Sequence, residues 1–171
     1  MAKTELHNYS VQEKLNKMDV DLIDVTVTGL HADAHTAGDL LFQPVEIPNA
    51  VAVNGGTAIL QSMVAIVTGH GTESSADGSG TTGAIDFIIT ADESVMIDGT
   101  GTQALNDPMG ANTTLASVYD GICGIASMTK FIDGGFNSFG SKENIGMVCK
   151  AIAGTTSLYV MGVAQSTNDY N

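Results

Sequence analysis

The chain contains no tryptophan and no arginine, and it has only two cysteines and three prolines in 171 residues. Each shortage excludes something. All six basic residues are lysines, set against 19 acidic residues for a formal net charge of -13. Phosphate recognition needs dense positive charge and commonly arginine forks, so no nucleic-acid partner is expected. The same imbalance disfavours docking on an anionic membrane face. Two cysteines, Cys123 and Cys149, are too few for a disulfide scaffold and read as apolar core thiols in a reducing compartment. The opening Met1-Ala-Lys-Thr-Glu-Leu-His-Asn-Tyr9 lacks an apolar signal core, and no later stretch reaches the length of a membrane span. The expectation is an unprocessed chain made in a cytoplasm, with no membrane segment.

What remains is β-forming and turn-rich. Charged residues stop at 15% while hydrophobic residues reach 43%, with 20 glycines. A helical bundle would carry more Glu, Lys, Arg and Leu; Gly, Thr, Ala and Val suit strands and turns. Residues 1–18 stand apart, holding Lys3, Lys14 and Lys17 and few apolar side chains. Ser10-Val-Gln-Glu13 fits a capping box ahead of a short helix over Val11–Lys17. The segment reads either as an arm ordered by a neighbouring chain, pressing Leu6, Tyr9, Val11 and Leu15 onto it, or as a helix lying on its own domain.

From Val20 the apolar period becomes two. Ile23, Val25 and Val27 alternate with polar residues as on a half-buried strand. Leu40–Phe42 and Val45–Ile47 flank Pro44, which points to an edge strand or a bulge. Pro48-Asn49 turns the chain into Ala50–Val53, and Asn54-Gly55-Gly56 is the strongest hairpin signal. Thr57–Thr68 reads as one long strand, apolar on both faces toward its end and so central. Gly69–Gly83 is a loop without an apolar anchor. Ala84–Thr90 and Val95–Ile97 are strands, Asp98–Asn112 is turn-rich, and Leu115–Ile125 is ambiguous between strand and helix. Met128–Ile132 reads as a strand and Gly134–Gly140 as a loop holding Phe136 and Phe139. Ile145–Ile152 and Ser157–Val163 are expected to pair as a terminal hairpin around Gly154. About eight short strands with Gly-rich connectors predict an all-β fold, an antiparallel β-sandwich or jelly roll over residues 19–171 in a single domain.

Sites for chemistry are hard to find. Gly78-Ser-Gly80-Thr-Thr-Gly83 matches a dinucleotide fingerprint, but no strand precedes it and no helix follows to aim its dipole at a pyrophosphate, so it reads as a flexible loop. His31, Asp33 and His35 share a strand parity that would suit one metal ion, yet GLHADAHTAG reads as a solvated polar turn. Asp98 and Asp107 flank a Gly-rich turn without the spaced ligands of a calcium loop. No nucleophile elbow is present, and neither cysteine has a motif that identifies a histidine partner. Asp86 and Glu46 are the only carboxylates embedded in apolar runs, and on alternating strands both are expected to face solvent. The absence of tryptophan also removes the best platforms for sugar stacking. No cofactor, metal or catalytic residue is expected.

Asp39-Leu-Leu-Phe42, Glu46-Ile-Pro-Asn-Ala-Val51 and Gly55-Gly-Thr-Ala-Ile-Leu-Gln-Ser62 resemble the opening of a family of small structural proteins of tailed bacteriophages, especially those of aquatic bacteria. Asn144-Ile-Gly-Met-Val148, Thr156-Ser-Leu-Tyr-Val160 and Gly162-Val163 are similar to the close of the same family. The resemblance implies a non-enzymatic virion protein that decorates the capsid, with a β-sandwich or jelly-roll fold and no catalytic residues. Residues 69–140 depart from the family pattern through longer Gly-rich insertions. The implied partners are the major capsid protein and further copies of the chain, plausibly as a trimer on a shell symmetry axis. A tail, adaptor or fibre-associated component, or a carbohydrate-binding or hydrolytic β-sandwich, are the alternatives. Strong negative charge suits a soluble protein needed at high copy number.

Overall fold

A computed structural model of the chain describes residues 22–27, 35–68, 83–93, 97–98, 101–102, 121–133 and 137–165. Within them the protein is all-β, with antiparallel sheets and no α-helix. The strands in order are β1 (Leu40–Ile47), β2 (Thr57–Leu60), β3 (Met63–Thr68), β4 (Ile85–Thr90), β5 (Ile97–Asp98), β6 (Gly101–Thr102), β7 (Ile122–Met128), β8 (Ile132–Asp133), β9 (Asn137–Lys142), β10 (Met147–Lys150) and β11 (Leu158–Ala164). Their pairing is nested: β1 with β11, β2 with β10, β3 with β9, β4 with β7 and β5 with β6. β11 also pairs with β4, giving a four-stranded sheet in the order β1-β11-β4-β7, while β8 extends the β3–β9 pair.

The two-residue period explains how the layers meet. Leu41 and Phe42 of β1, Ile85, Phe87 and Ile89 of β4, Ala126 and Met128 of β7 and Leu158 and Val160 of β11 turn one face of the four-stranded sheet inward. Ala58 and Leu60 of β2, Met63 and Ala65 of β3 and Met147 and Cys149 of β10 close on that face from the opposite side. The other face of the four-stranded sheet has a smaller cluster, in which Leu40, Ile88, Met161 and Val163 are all buried. β4 and β11 therefore bury side chains of both parities, which their nearly continuous apolar sequences require.

One glycine is essential to this packing. Phe42 and Gly162 are register partners, and a Cβ added at Gly162 would sit 2.2 Å from the Phe42 ring. Phe87 pairs with Gly162 from the opposite neighbour, and the two rings meet tilted, 6.3 Å apart. The aromatic rings thus cover a strand position that has no side chain of its own.

Among the described residues β1 stands at the edge of its sheet, and its register slips twice, between Leu40 and Phe42 and between Phe42 and Val45, so Pro44 has both the edge and the irregularity expected of it. Ile23, Val25 and Val27 alternate in burial with exposed neighbours, and Val25 and Val27 pack on the core, but these residues join no sheet.

The expected terminal hairpin does not form. β10 pairs with β2, whereas β11 lies between β1 and β4 in the four-stranded sheet. The turn itself is present, with Thr155 N–H reaching Ile152 C=O at 3.4 Å and Gly154 at φ +94°. Positive φ falls on the third residue of that turn and not on the second, Ala153, as in a type II turn. The two-residue hairpin turns need it at the second. Asn54-Gly55 repeats the pattern: Gly56 N–H bonds to Val53 C=O at 2.8 Å and only Gly55 has positive φ, so a turn forms without a hairpin. The two connections instead lie side by side as one corner. Val51 N–H bonds to Thr156 C=O at 3.0 Å, Gly55 N–H to Thr155 C=O at 2.9 Å and Ala151 N–H to Gly56 C=O at 3.1 Å. The ribbon β1/β11 thereby bends across this corner into the ribbon β2/β10.

Other expectations also change. Thr57–Thr68 breaks at Gln61-Ser62 into β2 and β3, and β3 has β9 as its one partner among the described residues, so it is not central. Asn137–Lys142 is a strand, β9, where a loop over Gly134–Gly140 was expected. Met128 ends β7 and Ile132 begins β8, so no single strand joins them. The ambiguous Leu115–Ile125 stretch is extended from Ile122 onward. Residues 1–18, with Leu6, Tyr9, Val11 and Leu15, and the loop residues 69–82 lie outside the described residues.

Candidate interaction surface

The strands opposite the four-stranded sheet have a second face, and it is unusual. Alternation directs Ala58, Leu60, Met63, Ala65, Met147 and Cys149 to the core, so the intervening residues point outward. Those residues are Ile59 of β2, Val64 and Ile66 of β3, Phe139 of β9, Val148 of β10 and Ile132 of β8, all exposed. The register assembles them: Ile59 lies opposite Val148, and Ile66, Phe139 and Ile132 form a row across three strands. Val64 and Ile66 keep 68% and 66% of their surface open, far above any core residue. Scattered exposed apolar residues are ordinary; a register-aligned set on one face is a candidate contact site.

Charge sharpens the contrast. Thr57, Thr68, Ser141 and Lys150 are the exposed polar residues that share this outward face, and no carboxylate stands among its described positions. The four-stranded sheet includes the carboxylates of Glu46 and Asp86. Glu46 of β1 accepts a hydrogen bond from Ser157 Oγ at 2.5 Å. Burial, followed by the nearby charges of Glu93, Glu46 and Asp92, pushes the Tyr159 hydroxyl above its usual range. Among its described strand positions, a protein of net charge -13 thus presents an apolar outward face without carboxylates.

Glu46 is exposed, as expected. Asp86 is half-buried rather than solvated, accepting from Ser127 Oγ at 2.5 Å and from Gln165 Nε2. His35 is fully buried, which corrects the reading of its segment as a solvated turn. Beside it Thr36 donates through N–H and Oγ1 to Asp39 Oδ2, at 2.7 and 2.8 Å, and fixes the chain entering β1. His31, Asp33 and Asp107 lie outside the described residues, as do all but the last residue of the Gly78–Gly83 motif. Among the described residues no group of three or more His, Cys, Asp or Glu is placed to hold a metal ion, and no helix is long and apolar enough to cross a membrane.

Cys123 on β7 and Cys149 on β10 are both free; Cys149 is buried, and Cys123 is half-buried and packs against the core cluster that holds Cys149. An open groove of about 750 Å³ runs past Cys123, lined also by Asn54, Ala91, Val148, Lys150 and Gly154. The hydrogen bond from Cys149 holds the Cys123 thiol below the usual thiol range and outweighs the opposing effect of burial. Cys149 is pushed up, by that same hydrogen bond first and by its burial second. In the folded protein, iodoacetamide should label Cys123 first. Its labelling rate should be half-maximal at a pH below the ordinary thiol value of about 8.5, falling away as the medium is acidified. Peptide mapping across a pH series checks this, and equal labelling of both thiols would contradict it.

Comparison of the chain with protein-family models, curated proteins and solved structures finds no match.

Proposed function

We propose that the chain is a non-enzymatic structural protein of a tailed-bacteriophage virion, a capsid decoration protein seated on the outer surface of the major capsid shell. The observation that carries this reading is the outward face of Ile59, Val64, Ile66, Phe139, Ile132 and Val148, apolar and, among the described strand positions, without carboxylates in a strongly acidic chain. Such a face favours a protein surface with apolar relief over nucleic acid or an anionic lipid. Negative charge elsewhere keeps free copies soluble and apart until that face is covered. The nested strand pairs and the order β1-β11-β4-β7 support a jelly-roll β-sandwich, in keeping with the resemblance of Asp39–Phe42 and Thr156–Val160 to phage structural proteins. Oligomerisation as a trimer would multiply weak contacts over a repeating shell.

The test is the copy number of the chain in purified particles. A number comparable to that of the major capsid protein is expected. A few copies per particle would move the chain to a tail or vertex, and absence from particles would overturn the reading.

A further inference from the structure

We propose that Cys123 and Cys149 form a two-thiol oxidation site, at which a hydroperoxide is reduced and the product is a disulfide joining β7 to β10. The inference stands apart from the virion reading, since it uses only the packing of the two layers. These strands belong to different sheets, yet Cys123 packs against the core cluster that holds Cys149. Gly124 helps to bring them together: lacking a side chain, it leaves room for the Met147 thioether, whose sulfur would lie 2.9 Å from a Cβ at that position. Cys123 Sγ and Cys149 Sγ each also lie 3.8 Å from a β10 carbonyl oxygen, those of Lys150 and Met147 respectively.

Accessibility divides the roles. Cys149 is 1% exposed and cannot meet a solute directly, whereas Cys123 lines the open groove. The Cys123 thiolate attacks one oxygen of hydrogen peroxide; the O–O bond breaks, hydroxide leaves and Cys123 becomes a sulfenic acid. Cys149 then attacks the sulfenic sulfur, the S–S bond forms, the S–O bond breaks and water departs. The hydroxide takes up the proton that Cys123 gave up on ionising. Two thiols and one peroxide thus become one disulfide and two waters, the sulfur pair losing two electrons and the peroxide gaining them. The closed loop spans residues 123–149, long enough for a cross-link to constrain the unfolded chain appreciably.

The full chain, reduced and desalted, is treated with stoichiometric hydrogen peroxide, digested with trypsin without reductant and mapped by mass spectrometry. Lysines at 17, 130, 142 and 150 place the two thiols in separate peptides, 18–130 and 143–150. A linked pair lighter by two hydrogens is expected, reversible by dithiothreitol, with a rise in Tm of about 5–10 °C over the reduced protein. In Cys149→Ser, Cys123 should stop at a sulfenic acid that dimedone traps; in Cys123→Ser, Cys149 should survive unoxidised. Should the serine at position 149 prevent folding, Cys149→Ala serves the same purpose. Persistence of both free thiols in the treated wild type, or oxidation of Cys123 to sulfonic acid without cross-linking, would overturn the proposal. Faster oxidation of Cys149 in Cys123→Ser than of Cys123 in Cys149→Ser would overturn the assignment of roles.

Discussion

Valine in place of Gly162 is expected to destabilise the protein by about 3 kcal/mol, lowering Tm by about 6–12 °C. Even the first added carbon would stand 2.2 Å from Phe42, whose ring is 6% exposed and backed by Phe87. Neither β1 nor β4 can retreat without giving up a ladder to β11, so the strain has no cheap release. The cause is separable from a general intolerance of substitution in β11. Gly162→Ala should be markedly less harmful in a Phe42→Ala background than in the wild type, with a coupling of about 1 kcal/mol or more. Denaturant titration of the four proteins measures it. Additive effects would mean that the ring and the glycine do not act together.

The opposite behaviour is expected on the outward face. The double variant Ile66→Glu, Phe139→Ser replaces two register partners that are 66% and 46% exposed. Their removal takes little from the core, so stability should change by only about 1 kcal/mol. Co-sedimentation with capsids should weaken by about 100-fold or more, as when anchors at the centre of an interface are lost and a charge is set against an apolar partner. Glu46→Gln on the acidic layer is the control and should bind as wild type. If the double variant binds capsids normally but no longer self-associates in analytical ultracentrifugation, the face joins copies of the chain to each other. If neither changes, the face is not an interface.

Both effects come from alternation, which was legible; partner choice was not. Val25 and Val27 turn toward the core at the expected parity without a strand to pair with, because their side chains obey burial while their backbone lies outside any ladder. Asn54-Gly55 and Ala153-Gly154 turn where the residues say they should. Which glycine dihedral the turn adopts decides whether its arms stay together, and that was set by the corner hydrogen bonds between segments a hundred residues apart. The TAIL and MVAIVT runs were apolar on both parities, and a buried central strand was one way to satisfy them. The structure uses the other: one parity for the core and one left open on the surface. Nothing local distinguishes the two, since the difference lies in whether another layer of the same chain covers the second face. The approach of Cys123 to the Lys150 carbonyl escaped for the same reason, being a meeting of β7 and β10 across layers.

The position of β11 bears on how the chain comes to be folded. It is the last strand of the described residues, yet it occupies an interior place in its sheet, hydrogen-bonded to β1 on one flank and β4 on the other. During synthesis, β1 and β4 must therefore wait with open edges until Leu158–Ala164 leaves the ribosome. Long-range pairing of this kind folds slowly, and the waiting strands include the buried Leu40, Leu41, Ile88 and Ile89. Fast translation at high temperature should accordingly divert more of the nascent protein into inclusion bodies than slow translation in the cold, and a chain cut before residue 158 should be found only there.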